Sequence, residues 1–220
     1  MDERIKILKL TETRGGARLT ITGEESPLQV SLDMVHRHRL VEGIVLTKAQ
    51  VVTLREEAAM FQCDHLAARY LAMRDHSVGE LKDKLRRRQF SPQIVASTIR
   101  KYLENGALDD ARYAMIVGAS LLKRRPCGRG YLCAYLQKRK IARDLADQTA
   151  ETLLSHEDDT ELATTALEQR WSRFGQLELE TARTKAYNYL ARRGFGYQSA
   201  KTAFARLWQK TNEGSEDQDF

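Results

Sequence analysis

Residues 77–90 read SVGELKDKLRRRQF: two leucines four apart, a basic run around them and an aromatic to close. Ser77 followed by Glu80 has the spacing of a helix-opening capping box, which puts Leu81 and Leu85 on one face of a short helix. The arrangement returns twice along the chain. Leu81, Leu85 and Phe90 are matched by Leu132, Leu136 and Ile141, and more loosely by Ala186, Leu190 and Phe195. Leu85, Leu136 and Leu190 stand 51 and 54 residues apart, a period that marks a tandem repeat.

Each copy has a longer apolar-periodic segment before it and a short amphipathic one after it. The preceding segments are VVTLREEAAMFQCDHLAARYLA, ARYAMIVGASLLKRR and TELATTALEQRW; the following ones are QIVASTIRKYL, ARDLADQTAETLL and QSAKTAFARLW. Local stop and start signals agree with that division. Thr47-Lys48-Ala49-Gln50 is a capping box, Ser91-Pro92 pairs an N-cap with proline at the first turn, Glu104-Asn105-Gly106 ends a helix, and Asp109-Asp110 caps the next. The predicted fold is mainly α. Three tandem three-helix, helix-turn-helix-like modules, at 47–108, 109–155 and 156–210, stack into an elongated array because one such unit buries little alone.

The first 46 residues differ. RIKILKL, ARLTIT and LQVSL are rich in β-branched residues and separated by Arg14-Gly15-Gly16 and Gly23-Glu24-Glu25-Ser26-Pro27. They predict a small three-stranded antiparallel element, followed by a short helix within SLDMVHRHRLVEGIVL that ends near Gly43. Three strands are marginal alone, so this element must pack on a helix. At the other end, residues 211–220 (TNEGSEDQDF) read as an acidic, flexible tail.

Cys63, Cys127 and Cys133 form no CxxC pair and are odd in number, so free thiols and a reducing, cytoplasmic setting are expected. No signal peptide or membrane-spanning run is read, and neither is a cofactor or metal site; His36-Arg37-His38 is one HxH with no third His or Cys near it. GxSxG and HExxH are missing, and nothing in the chain asks for an enzyme. The net charge of +6 favours an anionic partner.

The run ELKDKLRRRQFSPQIVASTIRKYLENGALDDARYA resembles the first half of a RecX protein, most closely over Leu103–Ala114 (LENGALDDARYA). PCGRGYLCAYLQKRKI keeps the Gly, the leucine pair and the basic-plus-Ile ending of the family's second module. Gln89 stands where the family usually has Gly before the aromatic, whereas Gly194-Phe195 keeps that arrangement, and Cys127 and Cys133 are unusual for the second module. The resemblance implies a monomeric, non-enzymatic modulator of the RecA recombinase in DNA repair and the SOS response. It implies binding to RecA and to the RecA–single-stranded DNA filament, with inhibition of ATPase, recombinase and co-protease activity. Direct contact with DNA is left open. The rival reading is a tandem helix-turn-helix transcriptional regulator, although no obvious base-reading set of Arg, Asn or Gln is present. An RNA-binding scaffold ranks below both.

Charge placement supplies the candidate surface. Around the triplet Arg86, Arg87 and Arg88, Glu80 precedes Lys84 by four and Asp83 precedes Arg87 by four, so intrahelical pairs can neutralise part of it. From Ala111 to Arg143 there is no acidic residue. Arg124, Arg125, Arg129, Lys138, Arg139, Lys140 and Arg143, with Arg112 and Lys123, therefore form the sharper candidate, and Tyr131 and Tyr135 add a flat contact surface. Arg124-Arg125-Pro126-Cys127-Gly128-Arg129-Gly130 is either an anion seat at a helix start or a turn that the glycines permit. Trp171, Phe174 and Trp208 read as core between helices rather than as a base-stacking platform.

Overall fold

The computed structural model describes residues 5–155 and 157–216, so residues 217–220 of the expected tail lie outside it. The chain divides into two compact units: Met1–His76 with Glu80–Leu108, and Ser77–Gly79 with Asp109–Phe220.

In the first unit, strands β1 (Ile5–Thr13), β2 (Gly16–Ile21), β3 (Leu28–Val30) and β4 (Val45–Leu46) form an antiparallel sheet in the order β3-β2-β1-β4. The sheet has one strand more than the three expected. β4 is two residues long, too short to show a period, and it is recruited by pairing Val45 and Leu46 with Lys6 and Ile5. Helix α1 (Leu32–Arg37) stops well before Gly43; Arg39 takes a left-handed backbone (φ 51°), and residues 38–44 return the chain to the sheet. Helix α2 (Lys48–Met73) opens with the expected capping box: the Thr47 N–H donates to Gln50 Oε1 (2.8 Å), and the Gln50 N–H donates to Thr47 Oγ1 (3.2 Å). Ile7, Leu19, Ile21, Val30 and Leu46 from the sheet bury against Val51, Leu54 and Ala58 of α2. That shared core supplies the helix support the small sheet needs. Helices α3 (Val78–Arg86) and α4 (Pro92–Glu104) follow; Ser91 caps α4 through the Ile94 N–H (3.3 Å), and Asn105 and Gly106 end it.

The second unit holds α5 (Asp110–Arg124), α6 (Arg129–Lys138), α7 (Arg143–Leu154), α8 (Asp159–Glu168), a short 3-10 turn at Trp171–Arg173, α9 (Leu179–Arg192) and α10 (Tyr197–Glu216). One core gathers Leu121, Leu132, Leu136, Ile141, Ala146 and Ala150; another gathers Leu167, Phe174, Ala186, Leu190, Phe195 and Phe204. Trp171 packs against Phe204 and Trp208, and Phe174 is buried, so these rings are core, as their spacing indicated. Helix α10 runs to Glu216, into the segment expected to be a flexible tail. Trp171 Nε1–H donates to Thr211 Oγ1 (2.7 Å), at the first residue of that segment.

The repeat is visible in the backbone as well as in the core. Leu81, Leu85, Leu132, Leu136, Ala186 and Leu190 are all fully buried. Each copy turns from its middle to its last helix through one left-handed residue: Gln89 (φ 64°), Lys140 (φ 65°) and Gly194 (φ 78°). A side chain at such a φ crowds the following carbonyl. Gln89→Gly is therefore expected to stabilise the chain by about 0.5–1 kcal/mol, the relief of that strain outweighing the entropy glycine adds to the unfolded chain. Urea denaturation checks this; a lower midpoint at unchanged slope would refute it.

Candidate nucleic-acid and partner interface

The structure thins the predicted basic surface of 111–143 by supplying acids from α7. Arg129 pairs with Glu151 (3.6 Å), a carboxylate distant in sequence, and Arg143 pairs with Asp147 one turn further along α7 (3.8 Å), so cations that looked uncompensated are met. Arg139 turns inward instead of outward. Its guanidinium donates to the hydroxyls of Tyr113 (3.1 Å) and Tyr135 (2.8 Å) and lies 4.8 Å from the centre of the Tyr135 ring, while Ser77 donates to its carbonyl (2.6 Å). These are structural bonds. They also take Tyr135 out of the expected flat surface, and Arg193 stacks over Tyr131. Lys140 is exposed, but its Cβ lies against Gly79, leaving no room for a methyl group there. Lys123, Arg124, Arg125 and Lys138 remain exposed and without an ion pair among the described residues.

The segment 124–130 is a packing feature. The Gly128 N–H donates to the Arg193 carbonyl (2.9 Å), and a Cβ at Gly128 would stand 2.1 Å from the Gly194 carbonyl oxygen. The glycine is there so that two backbones can touch. Cys127 beside it is fully buried, and burial pushes its thiol up to about 11, with Arg193 opposing; Cys63 and Cys133 are also buried, free and raised by burial. Thiols this far from ionising are poor nucleophiles. His38 and Arg37 both bond Glu57 of α2, which gives the His36-Arg37-His38 stretch a role in holding α1 to α2.

The arginine triplet behaves in the opposite way. The expected pairs on α3 give way to others: Glu80 bonds Arg74 (3.0 Å), and Lys84 leaves the basic face. Lys84 Nζ donates to His76 Nε2 (2.6 Å) and sits 4.6 Å from the centre of the Tyr70 ring, while His76 Nδ1–H donates to the Arg74 carbonyl (2.8 Å). Arg86, Arg87 and Arg88 are exposed and make no ion pair among the described residues. Two further arginines, Arg14 and Arg69, join Arg88 around one cavity. Neither stood out in the sequence, because the first sits in a hairpin turn and the second on an ordinary amphipathic helix.

His76 carries a pH consequence. Burial, aided by the charges of Arg74 and Lys84, holds its pKa below the ordinary 6.5, against the opposing bond to the Arg74 carbonyl. The folded chain thus resists a proton that the unfolded chain accepts. The stabilisation is complete above about 6.5 and is lost as pH falls from there through the folded value. Denaturation midpoints measured down from neutral pH should fall in the native chain and fall less in His76→Gln; equal slopes would refute it.

Comparison with known proteins matches two stretches of the chain. A family model described as RecX, first three-helix domain, matches residues 65–101, and one described as RecX, third three-helix domain, matches residues 157–212. A protein named "Regulatory protein RecX" from Pelodictyon phaeoclathratiforme is 30% identical over 141 residues, 64% of this chain and 86% of the relative. Another of that name from Chromohalobacter salexigens is 33% identical over 147 residues, 66% of this chain and 92% of the relative. Among solved structures, "Crystal structure of regulatory protein RecX" aligns with a TM-score of 0.66 at 17% identity, covering 91% of this chain and 99% of that one. RecX from Lactobacillus salivarius aligns with a TM-score of 0.59 at 21% identity, covering 68% and 96%. At those identities the structural likeness bears on the fold.

Proposed function

The chain belongs to the RecX family, and from that premise we propose that it is a non-enzymatic regulator that binds RecA and the filament RecA forms on single-stranded DNA. Bound there, it restrains ATPase, recombinase and co-protease activity. The proposed units of engagement are the three-helix modules 47–108, 109–155 and 156–210. Linking them raises the effective concentration of each for its share of a repetitive filament, so weak contacts sum to firm binding. Occupying the filament bars incoming duplex and hinders the protomer movements that ATP turnover requires.

The observation that carries the contact surface is the set of cations left over once the structure has paired the others. In 111–143 these are Lys123, Arg124, Arg125 and Lys138, and beside them in the proposal stands the triplet Arg86, Arg87 and Arg88. Charges of this kind speed encounter with a polyanionic filament and carry the salt dependence of binding. Arg139 belongs to the fold and leaves the contact set.

Reversing Arg124, Arg125 and Lys138 to Glu is expected to lower affinity for a RecA–single-strand filament by about tenfold or more and to flatten its salt dependence, without loss of helicity. Reversing Arg86 and Arg88 should do less to filament affinity. Filament-binding titrations at several salt concentrations measure both. Unchanged filament affinity in the first variant would remove the proposed surface. Strong preference for one duplex sequence, with no effect on RecA's ATPase, would overturn the reading as a whole in favour of a DNA-reading regulator.

A further inference from the structure

We propose that the first unit carries a binding site for a nucleoside phosphate, in the cavity of about 750 Å³ between the β1–β2 turn, one face of α2 and the α3–α4 turn. The volume lies in the range of small-molecule sites. This site shares Arg88 with the proposed filament-contact set, but its occupancy does not depend on RecA.

Three arginines from three separate elements converge there: Arg14 from the hairpin turn, Arg69 from α2 and Arg88 from the end of the triplet. Among the described residues none of them makes an ion pair, and no Asp or Glu lines the cavity. Bringing three like charges to one concavity costs self-repulsion that a bound phosphate relieves, and guanidinium groups match phosphate oxygens in a two-pronged fashion.

The remaining walls suit a base. Phe61 and Phe90 both line the cavity, and both are only half-buried. For Phe90 this is a departure from the repeat: its counterparts Ile141 and Phe195 are 3% and 6% exposed and close their cores. The first copy therefore turns its closing aromatic partly toward the cavity, at the residue after the left-handed Gln89. Phe61 is held in place by the hairpin. Gly16 has φ 150°, and a Cβ there would meet the Val30 carbonyl at 2.3 Å and the Phe61 ring at 3.3 Å. Aromatic faces accept any base by stacking, while arginines take the phosphate, the combination used to hold single-stranded nucleic acid. The same chemistry is met by a free nucleotide and by one residue of a strand.

The test uses the full chain with three probes: ADP, a thymidylate trinucleotide and inorganic phosphate, followed by calorimetry and by NMR shifts of the phenylalanine rings. Binding of ADP or the trinucleotide, well above that of inorganic phosphate, is the expected result. Arg69→Glu with Arg88→Glu should weaken it at least about tenfold at unchanged thermal midpoint, since both side chains are exposed. Phe90→Leu keeps apolar bulk and should weaken the nucleoside-bearing probes only. The Arg124, Arg125 and Lys138 reversal should leave binding intact. Preference for the trinucleotide over ADP assigns the site to a strand, and the reverse assigns it to a free nucleotide. No binding at millimolar probe, equal binding of inorganic phosphate, or full binding by the double arginine variant each overturns the site.

Discussion

Gly128→Ala is expected to destabilise the second unit by about 3 kcal/mol, while Gly130→Ala two residues on should leave it unchanged or raise it by roughly 0.5 kcal/mol. The two glycines look alike in the sequence. At Gly128 a Cβ would lie 2.1 Å from the Gly194 oxygen and 2.6 Å from its carbonyl carbon, and these are backbone atoms that no rotamer change can move. The start of α6 must back away, which strains the Gly128–Arg193 hydrogen bond and the buried Cys127 beside it. A Cβ at Gly130 meets nothing within 4 Å, so alanine there only improves the helix. Urea midpoints of the two variants, measured side by side, should move in opposite directions or differ by that margin. Equal behaviour would mean that the close approach carries no energy.

Leu136→Ala is expected to cost 2–5 kcal/mol, roughly the range for emptying a close-packed leucine site, whereas Ile116→Ala on α5 should stay within about 0.5 kcal/mol. Leu136 is fully buried among Leu121, Leu132, Ile141 and Ala146, and truncating it leaves a hole lined by apolar side chains. Ile116 is 51% exposed and gives up little contact. The denaturation midpoint should fall for Leu136→Ala with an unchanged slope. A cost under 1 kcal/mol would show that the repeated leucine is not the keystone of its module.

These two sites show where the reading of residues succeeds and where it stops. Leu136 was legible because it belongs to a pattern: apolar positions four apart, returning at a fixed distance. The caps at Thr47, Ser91, Asp109 and Gly106 were legible because a cap bonds residues two or three away, and sequence shows neighbours directly. The role of Gly128 was open between an anion seat and a turn, because its partner is Gly194, far along the chain. The fourth strand escaped because two residues display no period.

Charge was the least legible property. Arg129 looked free, and it is met by Glu151; Arg139 looked exposed, and it is held by two tyrosines. The spacing offered Glu80 to Lys84, and it bonds Arg74. Coulomb attraction acts over ångströms in space and takes no account of separation along the chain, so an acid-free stretch of sequence is not an acid-free surface.

The order of the amino acids was therefore sufficient for the tandem helical repeat, its turns and its family, since those rest on periodicity and on bonds between near neighbours. Which arginines stay unpaired, which glycine lets two backbones meet, and how Arg14, Arg69 and Arg88 come to share one cavity were settled by tertiary packing. Each joins groups from different elements, and only the folded chain sets the distances between them.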